Sequence, residues 1–364
     1  MKVCYFSCYS DKNYTRTQTI LNALEANKNI ELIKCIYSSK SILRYPKAIL
    51  NFLRLKKKSD IIFLGFRSYE ILPIIRILTK KPIIYDAFVS AYDTLCNERK
   101  KFKPNSIFGR LLYFLDKYNC IISDKVLLDT KEHVKYFSNT FHINKNKFDY
   151  LLVGANEKVF YPRKKVKTKK FIVFFYGTYR PLQGIEYIIK AAKILENEED
   201  IEFRIIGGGS GYYTKTYYDK MLKLLNSLKL KNLKLIDYVP FEKLPLEISN
   251  ADICLGGHFS GIEKANRVIS GKTFQFIAMK KPTIVGDNPA NKELFNHRKN
   301  IYMCKMADSQ SLAKGIMELK NNFKLRNRIA KNGFKLFNEK LSRKILSKRL
   351  TLILHSVKNE KNRY

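Results

Sequence analysis

Two sets of six apolar runs, each of strand length, constrain this chain more than anything else in it. The first set lies at residues 3–6, 30–37, 61–66, 82–85, 120–128 and 150–153, and the second at 171–176, 203–206, 233–238, 253–255, 283–285 and 301–304. Few of the runs show the polar alternation of a strand with one wet face. Longer stretches of helical period separate them, such as 17–26, 42–55, 107–118, 184–195 and 216–228. Strands apolar on both faces belong to parallel sheets covered by helices. The expected fold class is therefore α/β, with two Rossmann-like doubly wound domains in series that face a central cleft. A length of 364 residues suits two domains. Between the sets the segment YPRKKVKTKK, residues 161–170, joins a proline to a dense cationic run and reads as a linker. The expected division is residues 1–160, residues 171–340, and a C-terminal helix and tail over 341–364. That last helix, over about 342–357, is expected to pack back on the first domain, with 359–364 frayed. Open parallel sheets bind ligands beyond the carboxyl ends of their strands, so the chemistry is expected in the loops there.

Lys and Arg number 69 against 32 Asp and Glu, a formal charge of +37. Such a charge attracts polyanions: phosphorylated substrates, an anionic membrane, nucleic acid. The lysines spread over the whole chain, which also fits a plain compositional bias. A nucleic-acid partner is disfavoured because no aromatic–basic recognition motif accompanies the charge. The seven cysteines are scattered without a C-x-x-C pair, which argues against a zinc site or a disulfide framework and fits a reducing cytosol. The N-terminal apolar run is too short for a signal peptide, and Arg76, Lys80 and Lys81 interrupt the best membrane-span candidate. The expected location is cytoplasmic, soluble or peripheral on the inner face of the plasma membrane. Residues 45–58, YPKAILNFLRLKKK, alternate apolar and cationic side chains at helical spacing. Such a helix suits an anionic membrane surface, and equally suits one face in a core and one in water.

Three segments carry candidate chemistry. GGGSG at 207–211 follows a strand and precedes a helix, but its spacing is G-x-G-x-G and it follows a middle strand. The first strand ends FSCYS, without glycine, so a dinucleotide fingerprint is absent. Gly207 either lets backbone approach a ligand or makes a tight turn. The stretch FIVFFYGTYRPLQGIEYIIKAAKIL opens the second set with Gly177-Thr178, then Arg180, whose guanidinium suits phosphate oxygens. KANRVISGKTFQFIAMKKPTIVGD places Arg267 and Lys272 around a Ser-Gly turn at the start of a short helix that carries Gln275. Cations at a helix N-terminus suit a phosphate, although a chain this basic has many cationic helices. His258 and His133 stand alone and read as structural.

Taken in order, GTYRPLQGIEYIIKAAKIL, FRIIGGGSG, LKLIDYVPFEKLPLEISNADICLGG and KANRVISGKTFQFIAMKKPTIVGDNPANKEL resemble family 4 (group 1) retaining glycosyltransferases of the GT-B fold, across residues 171–294. IIYDAFVSAYDT, LLDTKEHVKYF and VGANEKVFYP resemble one subgroup more loosely. The resemblance implies transfer of a sugar from a nucleotide-diphosphate sugar to a glycan or lipid-linked acceptor, with retention. The nucleotide sugar is then a co-substrate and there is no separate cofactor. No Asp-x-Asp motif stands ready for a metal, and none is implied. Gly177, Thr178, Arg180 and Gly207 would border the donor phosphates, and Tyr238 and Val239 the base. His258 and Val268 would lie near the donor sugar, and Gln275 near the ribose. Arg267 and Lys272 would neutralise the diphosphate. Asp86 would meet the acceptor at the reaction centre, with Arg16 and Asp93 on the acceptor side. The sequence departs from the family at two points. Arg267 and Gln275 stand where members often carry two glutamates, and Gln183 stands where a basic residue often precedes the glycine. Alternatives are a non-catalytic partner of another transferase, a sugar-nucleotide epimerase of the same fold, and a basic nucleic-acid-binding protein.

Overall fold

A computed structural model describes residues 1–8, 14–37, 39, 41–166, 168–207 and 212–361, without the side chains of 212–214 and 361. The chain forms two compact units, 1–154 with 342–364, and 155–341. In unit 1 the strands are β1 (Lys2–Ser7), β2 (Glu31–Ile36), β3 (Ile61–Leu64), β4 (Ile83–Asp86), β5 (Lys125–Leu128) and β6 (Phe148–Tyr150). They form one parallel sheet in the order β2-β1-β3-β4-β5-β6. The α-helices between them, among the described residues, are α1 (Thr15–Glu25), α2 (Arg44–Leu55), α3 (Leu72–Leu78), α4 (Ile107–Ile122) and α5 (Lys131–Phe141). Unit 2 carries β7 (Phe171–Tyr176), β8 (Ile201–Ile206), β9 (Leu233–Ile236), β10 (Ile253–Leu255), β11 (Thr283–Gly286) and β12 (Tyr302–Cys304). Its sheet is also parallel, ordered β12-β11-β10-β7-β8-β9. Its helices are α6 (Ile185–Ile194), α7 (Tyr212–Leu228), α8 (Leu244–Asn250), α9 (Gly271–Ala278), α10 (Pro289–Lys292), α11 (Ser309–Asn321) and α12 (Phe323–Lys340). A last helix, α13 (Arg343–Lys361), belongs to unit 1.

The two-faced burial read from the sequence is literal in unit 1. Successive strand side chains point to opposite faces. Val3, Tyr5, Ile61, Phe63, Ile84 and Leu127 build one core with α1 and α13. Cys4, Phe6, Ile62, Leu64, Tyr85 and Val126 build the other, which includes Ala48 and Phe52 of α2 and Ile75 of α3. The C-terminal helix therefore packs back on the first domain, where Leu350, Ile353 and Leu354 are buried. All seven cysteines are buried free thiols.

Two boundaries differ from the sequence reading. The apolar run 120–128 is not one strand: its first three residues finish α4, and β5 begins at Lys125. Cys120 is buried from the helix, and apolarity alone does not separate a buried helical turn from a strand. The chain passes into unit 2 between Gly154 and Ala155, ahead of the cationic run assigned to a linker. That run lies along unit 2, where Lys165 pairs with Asp252 at 2.5 Å. Within GGGSG, 208–211 lie outside the described residues, as do 9 and 10 of FSCYS and 362–364 of the tail.

Leu354 is fully buried between α13 and the sheet. Leu354→Ala is expected to destabilise unit 1 by about 2–5 kcal/mol, the range for a large-to-small core change. Urea unfolding should show an earlier first transition while unit 2 keeps its midpoint.

Candidate active site

Strand order locates the site in unit 2. The chain winds from β7 outward to β8 and β9, then returns to lay β10, β11 and β12 on the other side. The loops after β7 and β10 therefore leave in opposite directions and open a crevice at the carboxyl ends of those strands, the usual ligand site of a doubly wound sheet. Gly177 follows β7, and Gly256, Gly257 and His258 follow β10.

Close backbone approach shapes this crevice. Gly207, at φ +129°, packs so near β7 that a Cβ would sit 2.1 Å from the Gly177 carbonyl oxygen. Gly184, at φ +70°, opens α6, and a Cβ there would lie 2.5 Å from the Ser260 amide nitrogen. Neither position tolerates a side chain. The loops after β7 and β10 are bonded directly: Phe259 N–H donates to the Gln183 carbonyl at 3.2 Å, and Ser260 Oγ donates to the Leu182 carbonyl at 2.9 Å.

Lys272, in the first turn of α9, reaches across from the β10 side to the β7 side. Its Nζ donates to Gln183 Oε1 at 2.5 Å and to Ser270 Oγ at 3.2 Å, and it lies 4.6 Å from the centre of the Phe175 ring. It is buried, and both hydrogen-bond partners are neutral. Burial pushes its pKa down to about 7. Next to it, burial first, then Lys272 and Lys264, lower His258 to about 3, so this imidazole is neutral at physiological pH. Its Nδ1 is buried without a hydrogen-bond partner among the described residues, as are Nδ2 of Asn288 and Oδ1 of Asn291 in the loop after β11. The His258 carbonyl oxygen sits 2.3 Å from where a Gly286 Cβ would be, so that loop borders the same crevice.

The sequence-predicted donor residues fall into two groups. Gly177, Gly207, His258 and Lys272 converge at the β7/β10 ends. Arg267 is also buried, in the same segment as Lys272; its Nη1 donates to Glu263 Oε1 at 3.1 Å. Val268 is half-buried beside it, and Gln275 lies buried one turn further along α9. Thr178 is exposed and Arg180 half-buried in the loop after β7, where Arg180 Nε has no partner among the described residues. Tyr238 and Val239 follow β9 at the edge of the sheet, and Tyr238 is 77% exposed. Gln183 escaped the sequence analysis as a site residue; its place immediately before the positive-φ glycine was the available signal.

In unit 1 Asp86 and Arg16 are buried against each other. Arg16 Nη2 lies 2.8 Å from Asp86 Oδ1, with both side chains wholly inaccessible. Arg16 also donates to the carbonyls of Leu128 and Leu151, tying together the ends of β4, β5 and the segment after β6. Burial raises the Asp86 pKa against the lowering influence of Arg16. Asp93 is likewise buried, accepting from Asn97 Nδ2 at 3.2 Å and Tyr136 Oη at 3.3 Å. These residues fix loops and do not face solvent. His133, Nδ1 at 2.7 Å from Asp129 Oδ1, is buried as well. Half-exposed aromatic side chains gather at this end of the sheet: Tyr14 stacks on Phe66 at 4.2 Å, with Phe88 edge-on at 5.9 Å from Phe66.

Residues 157–336 match the family of glycosyl transferases group 1. Unit 2 is thus a group 1 glycosyl transferase domain. Solved structures share the fold over nearly the whole chain. An Anabaena protein, HepE, crystallised with UDP, has 12% identity and a TM-score of 0.74 across 98% of this chain and 100% of its own. A sucrose-phosphate synthase from Thermosynechococcus elongatus has 11% identity and a TM-score of 0.76, covering 98% of each chain. A glycosyltransferase from Rickettsia africae has 13% identity and a TM-score of 0.69, again covering 98% of each. The architecture is that of the GT-B glycosyltransferases. No curated protein matches the sequence.

Two outcomes follow from these charges. Lys272 carries its proton below its folded pKa of about 7 and loses it above. Binding of inorganic pyrophosphate, followed by calorimetry, should weaken as pH rises through that value, and Lys272→Met should flatten the change. Arg16→Ala strands a buried carboxylate and should cost about 3–5 kcal/mol of unit 1 stability, with Asp86→Asn in the same background recovering part of it.

Proposed function

We propose that the protein transfers a sugar from a nucleoside-diphosphate sugar, a uridine donor first among them, to a glycan or lipid-linked acceptor with retention of configuration. One observation carries this reading. A buried ammonium, Lys272, stands at the N-terminus of α9 between the carboxyl ends of β7 and β10, with neutral partners and glycine backbone around it. Burying a charge without a counter-charge is costly, and a diphosphate supplies the missing partner. The helix N-terminus adds its own positive end to the same place. The uridine preference rests on HepE having been crystallised with UDP-glucose.

The reaction asks the protein mainly for position and fixed positive charge. The bond from the sugar C1 to the diphosphate oxygen breaks, and its electron pair leaves with the phosphate. Lys272, and Arg267 from the same segment, stabilise that growing charge in place of a metal. The acceptor hydroxyl attacks C1 on the face the diphosphate vacates, and its proton passes to a diphosphate oxygen. Neutral His258 offers a hydrogen bond to the sugar without competing for the proton. Gln275 takes the ribose hydroxyls by hydrogen bonds in place of a carboxylate.

Saturation-transfer NMR with UDP-, GDP- and ADP-sugars is expected to single out the uridine series. Lys272→Ala should lower kcat/KM for the donor so found by at least ~10-fold, about 1.4 kcal/mol of transition-state binding; an unchanged rate removes Lys272 from the site. Gln275, in place of the family's frequent glutamate, favours a second reading: a non-catalytic relative that assists another transferase. Tight UDP binding with no turnover of any donor would select it.

A further inference from the structure

Helix α4 carries apolar side chains on its outward face as well as on its inward one, where Tyr113, Cys120 and Ile122 pack into the core. Its inward face carries Gly109, Asp116, Asn119 and Cys120, all buried. Its outward face carries Ile107, Leu111, Phe114, Tyr118 and Ile121, spaced four and three residues apart in turn. That spacing draws one line along the helix, roughly 21 Å long at 1.5 Å per residue. Ile107 is 77% exposed and Phe114 60%. With Phe108, six of the eighteen large exposed apolar side chains among the described residues sit on this one helix. Soluble surfaces seldom concentrate apolar area so. The neighbouring α3, which packs on α4, adds exposed Ile74 and Ile77.

The exposed charges along the helix are basic, and the nearest acids, Asp124 and Glu70, lie beyond its C-terminal end and beside α3. Lys101 and Lys103 are exposed just before the helix, Arg110 is exposed and Lys117 half-exposed one turn-pair further along the same flank. The one acid of α4, Asp116, faces inward, accepting from Ser90 Oγ at 2.6 Å and the Tyr92 amide at 2.9 Å. We propose that α4 is a membrane-docking helix, lying in the plane of an anionic bilayer with its Ile107–Leu111–Phe114–Tyr118–Ile121 line among the acyl chains and its cations at the headgroups. An apolar face edged by Lys and Arg is the make-up of an interfacial helix. A second copy of the chain fits less well, because two-fold packing sets each basic flank against cations of its own kind. Helix α2, the sequence-level candidate, turns Ala48 and Phe52 into the core and offers the bilayer mainly Leu50 and its basic residues. No helix among the described residues is long and apolar enough to cross a membrane, so α4 would lie on the surface. Docking would also reach the loop after β4, since Asp116 holds that loop through Ser90 and Tyr92.

The chain contains no tryptophan, so Phe114→Trp installs a single reporter. Vesicles of phosphatidylcholine mixed with phosphatidylglycerol should shift its emission to the blue, whereas phosphatidylcholine alone should not. Leu111→Ser combined with Phe114→Ser should reduce partitioning into the mixed vesicles by at least about 10-fold, with thermal unfolding unchanged. Binding to the vesicles with no blue shift would mean adsorption of a basic surface and would overturn the proposal. So would a blue-shifted F114W without lipid in a protein that light scattering shows to be a dimer, which would assign the line to a second copy. None of these measurements requires turnover, so they stand apart from the fate of the transferase reading.

Discussion

A strand that pairs in parallel on both sides has its two faces sealed by helices, and its neighbours all point the same way. Loops at one end of such a sheet then carry whatever chemistry the unit has. Both units of this protein obey that constraint, and each has one place where successive connections diverge. In unit 2 it falls between β7 and β10, the strands whose following loops supply Gly177 and His258. In unit 1 it falls between β1 and β3, near Phe66 of the aromatic cluster. Sheet topology thus picks out both candidate surfaces before any side chain is considered.

The two units treat buried charge in opposite ways. Arg16 and Asp86 are sealed together, with further carbonyls completing the guanidinium's bonds, so their charges are spent inside the fold. Lys272 is also buried, yet among the described residues its ammonium meets an amide oxygen, a hydroxyl and an aromatic face. Buried ionic pairs often do little more than hold geometry, whereas a buried cation with neutral partners shifts its titration and keeps its field for something else. That contrast separates a structural ion pair from a binding group more surely than residue type does.

Much of the fold was legible in the sequence because sealed strands announce themselves. Residues 171–176 and 253–255 are strands over the bounds the apolar runs suggested. The order of motifs in unit 2 also led to the expectation that Lys272 and Gly177 lie near each other, and a Cβ on Gly177 would sit 3.5 Å from Lys272 Nζ. The surroundings of Asp86 were not legible, because a carboxylate at a strand end looks the same whether it faces solvent or an arginine folded in from α1. The partner, Arg16, is 70 residues away, and nothing local reveals the pairing. Gln183 was passed over as a mere departure from a pattern; its meaning lies in the contact with Lys272, a tertiary fact. The outward apolar line of α4 was read as ordinary helical period, since periodicity gives the existence of an apolar face and not its direction.

Unit 1 is discontinuous: its sheet is complete by Tyr150, but one of its two cores takes Leu346, Leu350, Ile353 and Leu354 from beyond unit 2. On the ribosome, residues 155–341 emerge with every element of their unit in hand, while the earlier segment waits with Val3, Tyr5 and Ile20 uncovered on that side. Unit 2, begun second, is therefore the one able to mature first, and a nascent chain stalled before position 343 presents an open apolar flank to chaperones and proteases.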